Sequence, residues 1–462
     1  MPYSETSRSS PFRSIAWASG LVGAAMLSGC VAYAPRPIDA AETARAFAVD
    51  RLPPPNRPLT EAEALALAVS RSAAVRQAQA TYETARAAAR AARASPAWTL
   101  NLTAEYSRQS DPQHPWLYGG AVDIPVDAGA PRRTRLETAD LTVLKARYDV
   151  SETLWTVRTA LHKALADRSA AEAQLATGET QLDVQRQRVT MIEKRVATGE
   201  DARSLALQAR SDLATALQSV SAARALKAQA DAGLAAALSL PVEAVSGMVI
   251  LPHDAASPDF EMMAQARLDA ATARADVLKA VIDYDLAEQG LRAAVAGQYP
   301  ALTVSPGYTW ERGVTKLPVS LGLALPPLDL NRGAIAEAEA RRKEAGRALE
   351  AVQAQVFAEA DAASAALGSA QEDLDRLARE DIPAAARGLR VAQRGLSAGE
   401  TDRTDLLAAE AASLAVELVR IEASRQRAVA VADFEAATRD ARDPAQTQVL
   451  AQVMAALEGP TP

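Results

Sequence analysis

The sequence predicts a mainly α-helical chain that is internally duplicated and has a small β part of four strands. Three observations support this fold class. Apolar residues make up 49% of the 462 residues but aromatic residues only 4%, because alanine supplies most of the apolar count. The body of the chain repeats itself at an offset of 200 to 204 residues. In each repeat, stretches with helical spacing flank two short stretches in which apolar and polar residues alternate.

The alanine-rich composition favours long packed helices over a compact globular core. Alanine is the best helix former and lets helices approach closely, but it buries little area per residue. The net charge of −7 and the pI of about 5.4 argue against nucleic acid as a partner, since nucleic acid favours a basic surface. The single cysteine, Cys30, excludes an intrachain disulfide.

Residue types that carry catalysis are not grouped in any recognisable motif. The three histidines, His114, His162 and His253, are far apart in the sequence, whereas a zinc or copper centre needs clustered ligands. The sequence also has no glycine-rich phosphate loop and no nucleophile motif. We therefore expect a protein that is not an enzyme and that uses no metal or other cofactor.

The N-terminus has the features of a secretory signal that ends at a lipidation site. An apolar run of 13 residues, 15–27, is shorter than the roughly 20 residues of a membrane-spanning helix. Residues 27–30 (LSGC) resemble a bacterial lipobox. We therefore expect residues 1–29 to be a signal peptide and Cys30 to be the lipidated, palmitate-bearing start of the mature chain. The alternative is a plain signal with a chance cysteine, and mass spectrometry of the mature N-terminus distinguishes the two.

Residues 30–58 are rich in proline and include three consecutive prolines at positions 53–55. Proline lacks the backbone N–H that a helix interior requires, so we expect an extended, lipid-anchored tether and no regular helix. The body then comprises a first repeat over residues 59–252 and a second repeat over 253–440, followed by a C-terminal tail over 441–462.

Both repeats have the same predicted order of elements. The ranges in the first and second repeat are 60–95 and 261–298 for an opening helix, 97–126 and 300–326 for a β-hairpin, about 132–196 and 332–393 for a long helix, and 203–239 and 403–438 for a returning helix. Each long helix would measure roughly 95 Å, which no compact domain requires. Apolar residues at steps of three and four, such as Val356, Ala360 and Ala363, predict coiled-coil packing.

The strand segments alternate between apolar and polar side chains. The predicted apolar face carries Trp98, Leu100, Leu102, Ala104, Tyr106, Trp116, Tyr118, Val122 and Ile124, then Leu302, Val304, Tyr308, Trp310, Leu317, Val319, Leu321, Leu323 and Leu325. This pattern suits a transmembrane barrel, although an edge hairpin on a soluble sheet is the alternative. Four strands cannot close a membrane barrel, and open edges are not tolerated in hydrocarbon. The strands are therefore expected to be shared between at least two copies of the chain.

Residues 59–440 resemble the TolC-like outer membrane efflux family. The resemblance rests on the opening motif at residues 59–65 (LTEAEAL), the Gly-Glu turns, residues 405–407 (DLL), the duplication and the helix lengths. It implies a homotrimer whose strands form a twelve-stranded barrel in the outer membrane of a Gram-negative bacterium. The barrel continues as a periplasmic helical tunnel, which is a passive duct. It also implies a periplasmic adaptor and an inner-membrane pump of the RND type as partners.

Residues 325–335 (LPPLDLNRGAI) and 131–135 (PRRTR), together with Trp155 and Arg158, are similar to channels of heavy-metal efflux systems. This implies export of heavy-metal cations, with drug efflux or type I secretion as alternatives on the same fold. The basic residues are expected at the barrel–helix junction, or else as ordinary solvated charges at helix starts. A periplasmic adaptor and a coiled-coil lipoprotein without a pore are the rival classes, which the two hairpins and amphipathic strands disfavour.

The same resemblance implies two kinds of functional residue at the ends of the long helices. Gly199, Glu200, Gly399 and Glu400 would form the tips that dock onto the adaptor, while the alternative is plain helix caps. Asp405 would form an acidic gate ring. The family's second acid is replaced by alanine at position 408, so Asp402 or Glu400 would share the role. The alternative for Asp405 is a first-turn acid that the helix dipole favours.

Overall fold

The computed structural model describes residues 33–49, 57–108, 115–251, 260–311 and 313–458. Cys30 and the predicted signal peptide lie outside these residues. The chain divides into two compact units, residues 1–53 and 54–462. In the first unit the described residues include helix α1, Ala40–Val49. The expectation that residues 30–58 contain no regular helix is therefore wrong. The ten residues of α1 include five alanines and no proline, so nothing in them opposes a helix.

The second unit contains both repeats in the predicted order. The elements of the first repeat are β1 Leu59–Thr60, α2 Glu61–Arg71, α3 Ala73–Ala92, β2 Thr99–Tyr106, β3 Trp116–Pro125, α4 Gly129–Thr198, α5 Arg203–Leu238 and α6 Val242–Val245. Those that follow are β4 Ile250–Leu251, α7 Phe260–Ala273, α8 Ala275–Ala296, β5 Ala301–Glu311, β6 Val314–Lys316, β7 Val319–Ala324, α9 Arg332–Arg376, a π-helical turn Leu377–Asp381, α10 Ile382–Ala398, α11 Arg403–Thr438 and α12 Pro444–Ala456. Within the described residues, no helix is both long and apolar enough to cross a membrane.

The opening helix of each repeat is two helices rather than the single one that we expected. Thr60 and Glu63 form a reciprocal capping box that starts α2. The helix then breaks at Ser72, whose hydroxyl caps α3 by accepting a 3.3 Å hydrogen bond from the Val75 N–H. In the second repeat the break falls at Arg274. A serine that prefers the N-cap to a helix interior explains the first break.

The long helices confirm the predicted hairpins, with one difference between the repeats. Helix α4 runs without interruption for 70 residues, or about 105 Å. Its counterpart is divided by the π-helical turn that ends two residues before Pro383, and there the Ile382 N–H bonds to the Leu377 carbonyl. Proline lacks an N–H and its ring clashes with the carbonyl of the preceding turn, so a wider turn relieves the contact.

Small and branched apolar residues pack the hairpins together, as the spacing predicted. Val356, Ala360 and Leu367 of α9 are buried. Leu367 belongs to a cluster with Phe434 of α11. Leu407 of α11 packs in a further cluster with Val184 of α4, which links the second hairpin to the first.

The sheet has the strand order β2-β3-β5-β7, all antiparallel, with short β6 paired to the end of β5. Leu100 lies opposite Val122, and Leu302 opposite Leu323, so the predicted apolar face is confirmed. We expected one return strand over residues 317–325, but the structure has two short ones. Pro318 lies between them, and proline interrupts a strand because it cannot donate to the ladder.

A second apolar core lies where α2 and α12 pack against α4 and α5. Leu65, Leu154, Leu161, Leu234 and Leu238 are fully buried there. The predicted tail therefore contains a helix that is part of this core. Strands β1 and β4 form a parallel pair beside it and bring the start of the first repeat to its end.

Arg158 lies in this core and not at the barrel–helix junction, where we expected it. It is 29 residues into α4, about 43 Å along the helix. The side chain is 1% exposed, and its Nη2 lies 2.7 Å from the Glu435 carboxylate. Its Nε donates to the Gln446 side-chain oxygen at 2.9 Å, and its guanidinium stacks on Trp155. Arg158 therefore ties α4 to both α11 and α12.

His162 extends this network. One ring nitrogen lies 2.8 Å from the same Gln446 oxygen. Burial, and secondarily the positive charge of Arg158, lower the pKa of His162 below its ordinary value of 6.5. The folded chain therefore takes up a proton on His162 less readily than the unfolded chain does.

We predict that the protein loses stability as the pH falls below about 6.5, because the unfolded state then gains a proton that folded His162 resists. Above that pH His162 adds no pH dependence, since it is neutral in both states. Thermal unfolding measured between about pH 7.5 and pH 5 checks this, with His162→Gln as the variant that cannot titrate. The variant should show the shallower pH dependence, and equal slopes would contradict the assignment.

Candidate functional site

The turns at the ends of the two hairpins have the same geometry. Gly199 and Gly399 have φ angles of +82° and +74°, a left-handed conformation that glycine adopts without strain. The Glu200 N–H bonds to the Arg195 carbonyl at 2.9 Å, and the Glu400 N–H bonds to the Gly395 carbonyl at 2.9 Å. These bonds close the last helical turn in both repeats. Both predicted Gly-Glu pairs are exposed at the hairpin ends.

Arg195 joins the two hairpin ends to each other. Its guanidinium contacts Asp201 of its own turn at 2.9 Å. It also forms an ion pair with Asp402, which starts the returning helix of the other repeat. The sequence did not predict this role of Arg195. A basic residue in the last turn of α4, followed by acids at positions 200 and 201, predicts a local pair. The partner in the other repeat is 207 residues away and leaves no local pattern.

The predicted gate acids have different surroundings. Asp402 is the N-cap of α11, and one of its carboxylate oxygens accepts a hydrogen bond from the Asp405 N–H at 3.0 Å. With Arg195 on its other oxygen, Asp402 is structurally engaged. Asp405 is exposed on the first turn, and its carboxylate bonds back to the Asp402 N–H at 3.4 Å. Asp405 is therefore the more exposed of these two acids, although it also serves as a helix cap.

The basic residues that follow β3 lie where the sheet meets α4. Arg135 donates two hydrogen bonds to the Asp127 carboxylate, at 3.0 and 2.6 Å, and Arg132 lies 3.4 Å from it. The Arg135 Nε also donates to the carbonyl of Ala92 at the end of α3. These residues bind the two helices to the end of the strand. Among the described residues, no group of three His, Cys, Asp or Glu side chains is placed to hold a metal ion.

The comparison with family profiles identifies the family. The profile of the outer membrane efflux protein family matches residues 64–239 and 261–438, one match in each repeat. The chain belongs to this family. Its channels are passive rather than enzymatic, use no cofactor, are trimeric and work with periplasmic adaptors and inner-membrane pumps. This chain is therefore an outer membrane efflux protein.

Solved structures of outer-membrane channels have the same fold. The OprN channel is 20% identical, with a TM-score of 0.68 over 82% of this chain and 90% of that chain. CmeC of Campylobacter jejuni is 13% identical, with a TM-score of 0.67 over 93% and 97% of the two chains. VceC of Vibrio cholerae is 19% identical, with a TM-score of 0.66 over 82% and 96%. A search of curated protein sequences finds no match.

We predict that Arg195→Ala loosens the hairpin ends, because it removes their shared cation and leaves Asp201 and Asp402 to repel each other. A bridging, half-buried arginine of this kind contributes about 1 kcal/mol, so local opening should become about fivefold more frequent. Hydrogen exchange of the backbone amides around Gly199 and Gly399 measures this. Arg186→Ala is the matched control, since Arg186 pairs with Asp183 on the exposed surface of the same helix. Equal exchange in both variants would contradict the role of Arg195.

Proposed function

We propose that three copies of this chain form a passive exit duct through the outer membrane. The strands of the three copies close one barrel, and the long hairpins continue it as a tunnel across the periplasm. A periplasmic adaptor and an inner-membrane pump of the RND type connect to the tunnel and supply the energy. The observation that carries the proposal is an open sheet with one exposed apolar face, joined directly to long helical hairpins, of which helix α4 alone is about 105 Å long.

The exposed apolar face supports the proposal that the sheet lies in the hydrocarbon of the membrane. Leu102, Leu321 and Leu325 are 76%, 68% and 80% exposed in the single chain, which water does not favour. The two outer strands, β2 and β7, have no partner on their outer edges within the described part of the chain. Unpaired backbone groups are not tolerated in lipid, so a neighbouring copy must pair with them.

Aromatic side chains lie at both ends of the apolar face. At one end, Trp116 stacks on Tyr118 with ring centroids 5.7 Å apart, and Tyr106 packs against Trp116 in a tilted arrangement at 5.0 Å. Trp98, directly before β2, lies at the other end and is exposed. The distance from Trp98 to Tyr106 along β2 is about 26 Å, comparable to the apolar band of outer-membrane barrels. Aromatic belts at both membrane interfaces are typical of such barrels.

The hairpin ends are proposed as the adaptor-docking and gating region. Gly199, Glu200, Gly399 and Glu400 are exposed at the far ends of the hairpins and leave the helix termini accessible. Asp405 presents an exposed carboxylate beside them, which three copies would repeat around the axis. The Arg195–Asp402 pair holds the two hairpin ends of one chain together.

We further propose that heavy-metal cations are the cargo and that Cys30 carries a lipid anchor. The similarity of residues 131–135 and 325–335 to metal-efflux channels supports the cargo, and the lipobox at residues 27–30 supports the anchor. Drug efflux remains the second candidate for the cargo. A deletion strain that loses tolerance to metal cations but keeps its tolerance to drugs supports metal export, and the reverse pattern overturns it.

The test is ion conduction by the purified oligomer in a planar bilayer. We predict cation-selective channels that multivalent cations block, and we expect Asp405→Ala to reduce both properties because it removes the acidic ring. Asp405→Asn removes the charge but keeps an acceptor for the Asp402 N–H, so it separates charge from capping.

Unchanged selectivity and block in both variants would show that Asp405 serves only as a helix cap. A wild-type protein that is monomeric or does not conduct would refute the proposed function itself.

A further inference from the structure

We propose that Asp123 of β3 is a cation-selecting residue at the inner end of the barrel, with one carboxylate contributed by each chain. The inference rests on the proposed function, because it requires the polar face of the sheet to line the passage. It concerns a different place from Asp405, which lies at the far ends of the hairpins.

Asp123 lies on the polar face of the sheet. It is directly opposite Thr99 of β2, and the next residues along that face of β2 are Asn101 and Thr103. The apolar residues of the same strands alternate with these and point to the other face. In a barrel whose apolar face contacts lipid, the face that carries Asp123 is the one in contact with water.

Two neighbouring strands hold the Asp123 carboxylate in place. Asn101 of β2 donates its side-chain N–H to Oδ2 at 2.6 Å. Ser305 of β5 donates its hydroxyl to Oδ1 at 2.5 Å. Both donors are neutral, so they orient the carboxylate without cancelling its charge. A carboxylate has about four acceptor sites, so two such bonds leave acceptor capacity for a passing cation.

Some acids of the sheet and of its junction with α4 are compensated by cations, whereas Asp123 and Glu105 form no ion pair among the described residues. Glu311 of the same face forms an ion pair with Lys316. Asp127, four residues after Asp123, lies between Arg132 and Arg135. The ion pairs formed by the described residues do not include Asp123. Its charge is therefore fixed in position and uncompensated.

The position of Asp123 places this charge where the passage changes from strands to helices. Asp123 is two residues before the end of β3 and lies opposite Thr99, the first residue of β2. The repeat offset that matches Pro125 with Pro326 also matches Asp123 with Ala324, so the second repeat adds no acid at this level. Fixed negative charges inside a pore concentrate cations over a screening length of about 30 Å at 0.01 M salt and about 3 Å at 1 M.

The experiment compares Asp123→Asn with the wild type in planar bilayers. At about 0.01 M salt, the ratio of cation to anion permeability should fall at least about twofold, and the difference should vanish at about 1 M salt, where the charge is screened. Asp123→Glu keeps the charge and should keep the ratio. Glu105→Gln is the matched control, since it removes one charge from the same face at the other end of the hairpin.

The side from which a trivalent cation blocks the channel separates Asp123 from Asp405. Hexamminecobalt(III) added on the strand side should block Asp123→Asn less than the wild type, while block from the helix side stays the same. The inference is overturned, with the proposed function intact, if Asp123→Asn forms channels of unchanged selectivity and block. It is also overturned if Glu105→Gln alone shows the loss. A wild type that forms no channel refutes both.

Discussion

The structure depends on one constraint: backbone N–H and C=O groups cannot remain unpaired in hydrocarbon. In the described part of one chain, the outer strands of the sheet, β2 and β7, have no partner on their outer edges. That sheet cannot be stable in a membrane alone, yet its leucine-rich face cannot be stable in water. Both problems have the same solution, which is closure by further copies of the chain. In the proposed channel, the strands therefore require the oligomer.

The helical part of the chain is held together by polar links as well as by apolar contacts. Alanine-rich helices pack closely enough to form a wall, but each contact buries little area, so polar links help to keep the helices in register. Arg158 does this in the core beside α12, where it bonds to Glu435 and Gln446. Arg195 does so at the hairpin ends. Both arginines connect the first repeat to the second, and further ion pairs such as Arg425–Asp167 and Arg439–Glu152 join the two halves as well.

The sequence predicted the features that follow from local periodicity. The long helices, their turns at Gly199 and Gly399 and the apolar face of the strands all lie where the spacing placed them. It did not predict the breaks at Ser72 and Pro318, where one residue overrides the surrounding pattern. It also placed Arg158 at the wrong level and missed the Arg195–Asp402 pair. Long-range ion pairs depend on how helices pack, and periodicity within one helix carries no information about that.

Cross-linking between β2 and β7 of neighbouring copies tests whether the barrel is shared between copies of the chain. Cysteine at Leu102 is combined in turn with cysteine at Val319, Leu321 or Leu323, and outer membranes are oxidised before denaturing electrophoresis. Within one chain β3 and β5 separate these strands, so a disulfide between them joins two copies. We expect covalent trimers from at least one combination and none from variants that carry only one of the two introduced cysteines. Monomers in every combination would contradict a barrel shared between copies.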